Sequence, residues 1–178
     1  MSEQGYNSST GFLTREDLLK LCSSWSDKNM QLKIVQHLNS VDQDRVFNLF
    51  DSLLRDPDLE VRDCAIKMLM GFNPNRGVDL IIPLLTDTEE AWRWYICGAL
   101  ADYGDERAIE PLIQVLLNDP DDDTRYMAVV ALGNIGDAQV IPVLQLVEEK
   151  DNGMDFEGRR ISVRASKALS DIRARIRP

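Results

Sequence analysis

Three kinds of side chain in this sequence could carry chemistry: one histidine, three cysteines and two acid-rich turns. His37 stands alone. Zinc and di-iron sites draw on several histidines or on His–Glu pairs, so neither can be assembled and no metal ligand is expected. Cys22, Cys64 and Cys97 are odd in number and include no close pair. They read as reduced thiols of a cytoplasmic protein, packed as small hydrophobes. Nothing basic is arranged to lower a thiol pKa, which argues against a Cys–His nucleophile. The run "NDPDDDTR" (Asp119, Asp121, Asp122, Asp123) lacks the glycine and distal glutamate of an EF-hand loop, and acids at a helix start answer to the helix dipole. The stretch "DNGMDFEGRR" groups Asp151, Asp155 and Glu157 around Gly153 and Gly158, an extended turn that could serve as a second contact loop. No phosphate-binding glycine loop, serine elbow or paired-carboxylate arrangement is found. The expectation is a protein that is not an enzyme and needs no cofactor.

The 178 residues, 44% of them hydrophobic, suffice for a substantial core. Twenty basic and thirty acidic residues leave a formal net charge of −10, which repels nucleic acid. The charge is unevenly spread. Residues 159–178 hold Arg159, Arg160, Arg164, Lys167, Arg173, Arg175 and Arg177 against the single acid Asp171. Such a basic tail on an acidic body could guide head-to-tail contacts or dock an acidic partner. No run approaches a membrane span, and the start "MSEQGYNSSTGF" has no secretory character. Residues 1–13 are expected to be a disordered segment and 14–178 to form the folded domain.

The elements that position these residues come from a repeat. "DPDLEVRDCAIKML", "DTEEAWRWYICGAL" and "DPDDDTRYMAVVAL" align without gaps, each opening on Asp (Asp56, Asp87, Asp119) with Arg six residues on (Arg62, Arg93, Arg125). Each is preceded by another apolar-periodic segment, which predicts two helices per repeat. In the second helix the Asp is placed at the N-cap, with Pro57 and Pro120 at the first helical position. An inward stripe follows: Ala65, Met68 and Leu69, then Ile96, Ala99 and Leu100, then Ala128, Ala131 and Leu132. Gly104 and Gly136 are placed where a helix end takes a left-handed residue. Weaker copies flank this core, as terminal repeats do.

The Asp-x5-Arg pattern, with "ALADYGDERAIEPL" and "ALGNIGDAQVIPVL", resembles HEAT repeats, in particular the phycobilisome-lyase HEAT-like type, over roughly residues 14–176. The resemblance implies an all-α fold, a right-handed α-solenoid of about five helical hairpins. It also implies a structural ladder of Asp56, Arg62, Asp87, Arg93, Asp119 and Arg125 between neighbouring repeats. It says little about function, because such solenoids serve many.

The segment "EEAWRWYICGAL" carries the functional expectation. Trp92 and Trp94 are two apart and cannot share a helix face. Trp92 falls on the core stripe; Trp94 falls off it, with Gly98 one turn on. Tyr126 and Val130 hold the same places in the next repeat, and Asp63 and Lys67 in the preceding one. These six residues are the expected partner-binding face, since exposed tryptophan and tyrosine are typical interface anchors. The leading expectation is a non-enzymatic protein-interaction module or adaptor, its partner another protein with a basic surface, with no nucleic acid and no membrane involved. The family resemblance alone implies an alternative, a phycobilin lyase or phycobilisome-related processing factor. A third is an acidic immunity-type inhibitor.

Overall fold

The computed structural model describes residues 15–22, 27–87 and 89–177. The segment expected to be disordered, 1–13, lies outside them. Among the described residues ten α-helices follow in order: α1 Arg15–Cys22, α2 Lys28–Ser40, α3 Gln43–Leu53, α4 Leu59–Phe72, α5 Pro74–Ile81, α6 Glu90–Tyr103, α7 Ile109–Asn118, α8 Asp122–Ile135, α9 Ile141–Lys150 and α10 Ile161–Ile176. Among the described residues there is no strand, only an isolated antiparallel bridge between Met154 and Arg160. No described helix is long and apolar enough to cross a membrane. The architecture is an α-solenoid of helical hairpins. Its contacts divide the chain into two compact units, one up to Asn73 and one from Pro74.

In the first unit α4 is the core helix. Val61, Cys64, Ala65, Ile66, Met68, Leu69 and Met70 are all buried, and Phe47 and Phe50 of α3 pack at 5.7 and 6.4 Å from the ring of Phe72. Helix α1 packs on α4. The expectation of three reduced thiols is corrected here. Cys22 at the end of α1 and Cys64 in α4 form a disulfide across 42 residues, with Cα atoms 5.7 Å apart. Folding brings the two together, and sequence spacing carries no trace of it. Cys97 remains a free, buried thiol.

In the second unit α6 packs on α8 and α8 on α10, with α7 against α8 and α9 against α10. Ile96, Ala99, Leu100, Ala128, Ala131 and Leu132 are buried between them. Helix ends are satisfied from the next helix along. Asn134 on α8 donates its side-chain amide to the Ala101 carbonyl of α6 at 3.0 Å. Arg175 on α10 donates to the carbonyls of Asn134 and Gly136, both at 2.7 Å, filling the acceptors that a helix C-terminus leaves open. Arg175 therefore closes α8.

Two local expectations change. The N-caps are Asp58, Glu89 and Asp121, two residues beyond the repeating Asp. Asp121 caps α8 through Thr124, whose amide and hydroxyl donate to it at 2.7 and 2.6 Å. Pro57 and Pro120 lie just before these caps, outside the helices. Gly104 and Gly136 have φ of −68° and −72°, so neither is left-handed. They are glycines for lack of room: a Cβ at Gly104 would press on the Leu100 carbonyl, and one at Gly136 on the Leu132 carbonyl and the Val140 side chain.

Candidate partner-binding surface

The repeating Asp does two things at once. Its carboxylate folds back on the amide two residues on: Asp56 accepts from Asp58 at 2.9 Å, Asp87 from Glu89 at 3.0 Å, Asp119 from Asp121 at 3.0 Å and Asp151 from Gly153 at 2.8 Å. In the second unit it also receives the arginine of the preceding repeat. Arg93 donates Nε and Nη2 to Asp119 at 2.6 and 2.8 Å, and Arg125 donates to Asp151 at 3.0 and 3.3 Å. Each arginine meanwhile bonds the backbone carbonyl of its own repeat's Asp: Arg62 to Asp56 at 2.5 Å, Arg93 to Asp87 at 2.9 Å and Arg125 to Asp119 at 3.0 Å. Burial pushes Asp119 up, but the bonds from Arg93 and the Asp121 amide, with the charges of Arg93 and Arg125, hold it below the usual carboxylate range. At the start of the chain Asp56 receives Arg15 of α1 instead, and that hydrogen bond holds Asp56 low.

These rungs fix the height of α6 against α8 and so place the residues of interest. Trp92 points inward, 1% exposed, and stacks on Tyr95 with ring centroids 5.5 Å apart. Trp94 is half-buried and meets the edge of Tyr95 at 6.3 Å. Tyr126 and Val130 on α8 are half-buried too. The structure thus brings Trp94, Gly98, Tyr126 and Val130 onto adjacent helices of one unit. Gly98 leaves no deep hollow: a Cβ there would reach Met127 of α8 at an ordinary 3.9 Å. Asp63 and Lys67 lie on α4 in the first unit and pair with each other at 2.6 Å.

Residues 151–160 were expected as an extended turn; they form a tight hairpin fastened to the first turn of α8. The amides of Met154 and Phe156 donate to Asp122 and Asp123 at 2.9 and 2.6 Å, which is what the crowded acids of "NDPDDDTR" do. Asp155 turns inward as a buried carboxylate, accepting the amides of Glu157 and Arg159 at 3.1 and 2.8 Å and the Arg159 guanidinium at 2.6 Å. Burial pushes Asp155 up, yet the Arg159 bonds outweigh it and hold the group low. Gly158 makes the turn at φ 76°, a left-handed conformation that suits glycine. Arg159 lies over the Tyr126 ring, 4.7 Å from its centroid. With Asp155 held inside, Phe156 is left 70% exposed and Met154 43%. Sequence reasoning missed both; an aromatic residue inside an Asp–Gly turn was the available signal.

No group of three or more His, Cys, Asp or Glu among the described residues is placed to hold a metal ion. Burial, reinforced by Asp119, pushes the Cys97 thiol well above its ordinary value, so it is a poor nucleophile.

Helix pairs joined by Asp–Arg rungs define an α-solenoid. Residues 78–155 match the HEAT-repeat family model. The match is to HEAT repeats in general, which commonly mediate protein–protein interaction. The chain is also similar to the crystal structure of an engineered protein, Northeast Structural Genomics Consortium target OR329, at 19% identity and TM-score 0.52, covering 96% of this chain and 93% of that one. That likeness bears on the fold alone. No curated protein matches the chain.

Proposed function

We propose that the chain is a non-enzymatic protein-binding module whose working surface is the face of α6 and α8 around Trp94 and Tyr126, together with the 154–160 hairpin. The hairpin carries the reading. A 70% exposed phenylalanine is held on a turn whose backbone is already bonded to Asp122, Asp123 and Asp155, so binding it costs little ordering entropy. Aromatic anchors on a rigid support are what interface hot spots are made of. The acidic surroundings, net −10 over the chain, favour a partner with a basic surface.

The test is capture from lysate of the native cells with wild type, with Phe156→Ala and with Trp94→Ala/Tyr126→Ala, after circular dichroism shows equal helicity. One protein retained by wild type and lost by both variants supports the surface. Equal capture by all three places the binding elsewhere, and a bilin-bearing catch would favour the lyase alternative.

A further inference from the structure

We propose that the Cys22–Cys64 disulfide is a reducible latch on α1, opened by a dithiol reductant. At its N-terminal end α1 is tied by Arg15, which donates Nε and Nη2 to Asp56 at 2.7 and 3.1 Å. At its C-terminal end Cys22 is bonded to Cys64 in the body of α4. Asp56 is largely covered, but the Arg15 side chain is 49% exposed, so water and salt reach the pair and limit what it holds. The helix is eight residues long, short of the roughly 12–15 that a helix needs to persist alone. Of its described side chains Leu21 is the buried one. The covalent link is the strongest described tie between α1 and α4.

The two sulfurs differ in access. Cys64 is buried, whereas Cys22 is half-buried at the helix end. A thiolate of the dithiol attacks the Cys22 sulfur; a mixed disulfide forms, the Cys22–Cys64 bond breaks, and Cys64 leaves with the electron pair and takes a proton from solvent. The second thiol of the reductant, as thiolate, then attacks its own mixed-disulfide sulfur. Cys22 departs, is protonated, and the reductant leaves oxidised to a disulfide. Two electrons and two protons have passed to the protein. Helix α1 has then lost its covalent tie and keeps the Arg15–Asp56 pair and the packing of Leu21, and the side of α4 beneath it opens.

The measurement is hydrogen–deuterium exchange on full-length protein purified without thiols, before and after dithiothreitol, alongside intact mass after alkylation in denaturant. Expected are one alkyl adduct before reduction, at Cys97, and three after it. The amides of residues 16–22 should exchange at least ten-fold faster in the reduced protein while those of α8 stay unchanged. Cys22→Ser, which leaves Cys64 in place, should exchange fast over 16–22 with or without dithiothreitol. Three adducts before reduction would overturn the proposal, as would equal exchange over 16–22 in both states. Loss of protection throughout α3 and α4 on reduction would also overturn it, since the bond would then be a staple for the whole unit.

Discussion

Truncating Asp119 to alanine takes its bidentate carboxylate partner away from the largely buried Arg93 guanidinium. The side chains of the pair are 11% and 5% exposed, joined by bonds of 2.6 and 2.8 Å. Breaking one side of a buried, bidentate pair of this kind costs about 3–5 kcal/mol, because a charge is stranded where water cannot solvate it. For a chain of this size that lowers Tm by roughly 10 °C. Arg93→Met/Asp119→Ala should recover at least about 2 kcal/mol of the summed single losses, since no charge is then left behind. The Arg125–Asp151 rung, at 3.0 and 3.3 Å with 16% and 14% exposure, should lose less on the equivalent truncation. Urea denaturation of the four chains, followed by helicity, measures the cycle. Singles that simply add, or an Asp119→Ala loss below about 1 kcal/mol, would show that the rung fixes geometry without holding neighbouring repeats together.

Acid should erase the same contribution. Asp119 is held below its unfolded value, so its stabilisation is complete above about pH 4 and is lost as pH falls through the lowered native pKa. Asp155 follows the same sign. The gap in unfolding free energy between wild type and Asp119→Ala should therefore narrow steadily below pH 4; a gap that widens there contradicts the assignment. The glycines give an opposed pair. Gly136→Ala must push a Cβ into the Leu132 carbonyl and Val140, and should destabilise by about 1–3 kcal/mol. Gly98→Ala meets Met127 only at 3.9 Å and should stabilise α6 by about 0.5–1 kcal/mol through backbone entropy. Thermal melts of the two variants shifting in the same direction would refute this.

The helix pairs were readable because the Asp–Arg spacing and the apolar stripe report on the same buried seam, and Ile96, Leu100, Ala128 and Leu132 do lie in it. Trp92 followed from that period as well. What the period could not carry was anything joined across long separations. Cys22 and Cys64 are one case; Arg175 is another, legible only as part of a basic tail until α10 is laid against the end of α8. The helix starts were misplaced by two residues because the recurring Asp in each copy resembles a cap in composition, while its carboxylate is committed to its own turn and, at Asp119, to Arg93 of the preceding repeat. Phe156 escaped for a different reason: an exposed residue leaves no periodic trace, and only its fastening to Asp123 distinguishes it from an ordinary loop residue.

The order of events along 151–161 has a consequence of its own. Asp151 keeps its turn to Gly153 and its rung to Arg125, and the extra residues enter only after both are in place, before Ile161 opens α10. A splice ahead of the aspartate would have cut the joint between repeats; here it merely lengthens the approach to a helix. What the hairpin displays can consequently be exchanged without renegotiating how the repeats stack. Residues 154–160 are a natural grafting point, where new recognition could be written into the chain while its architecture stays as it is.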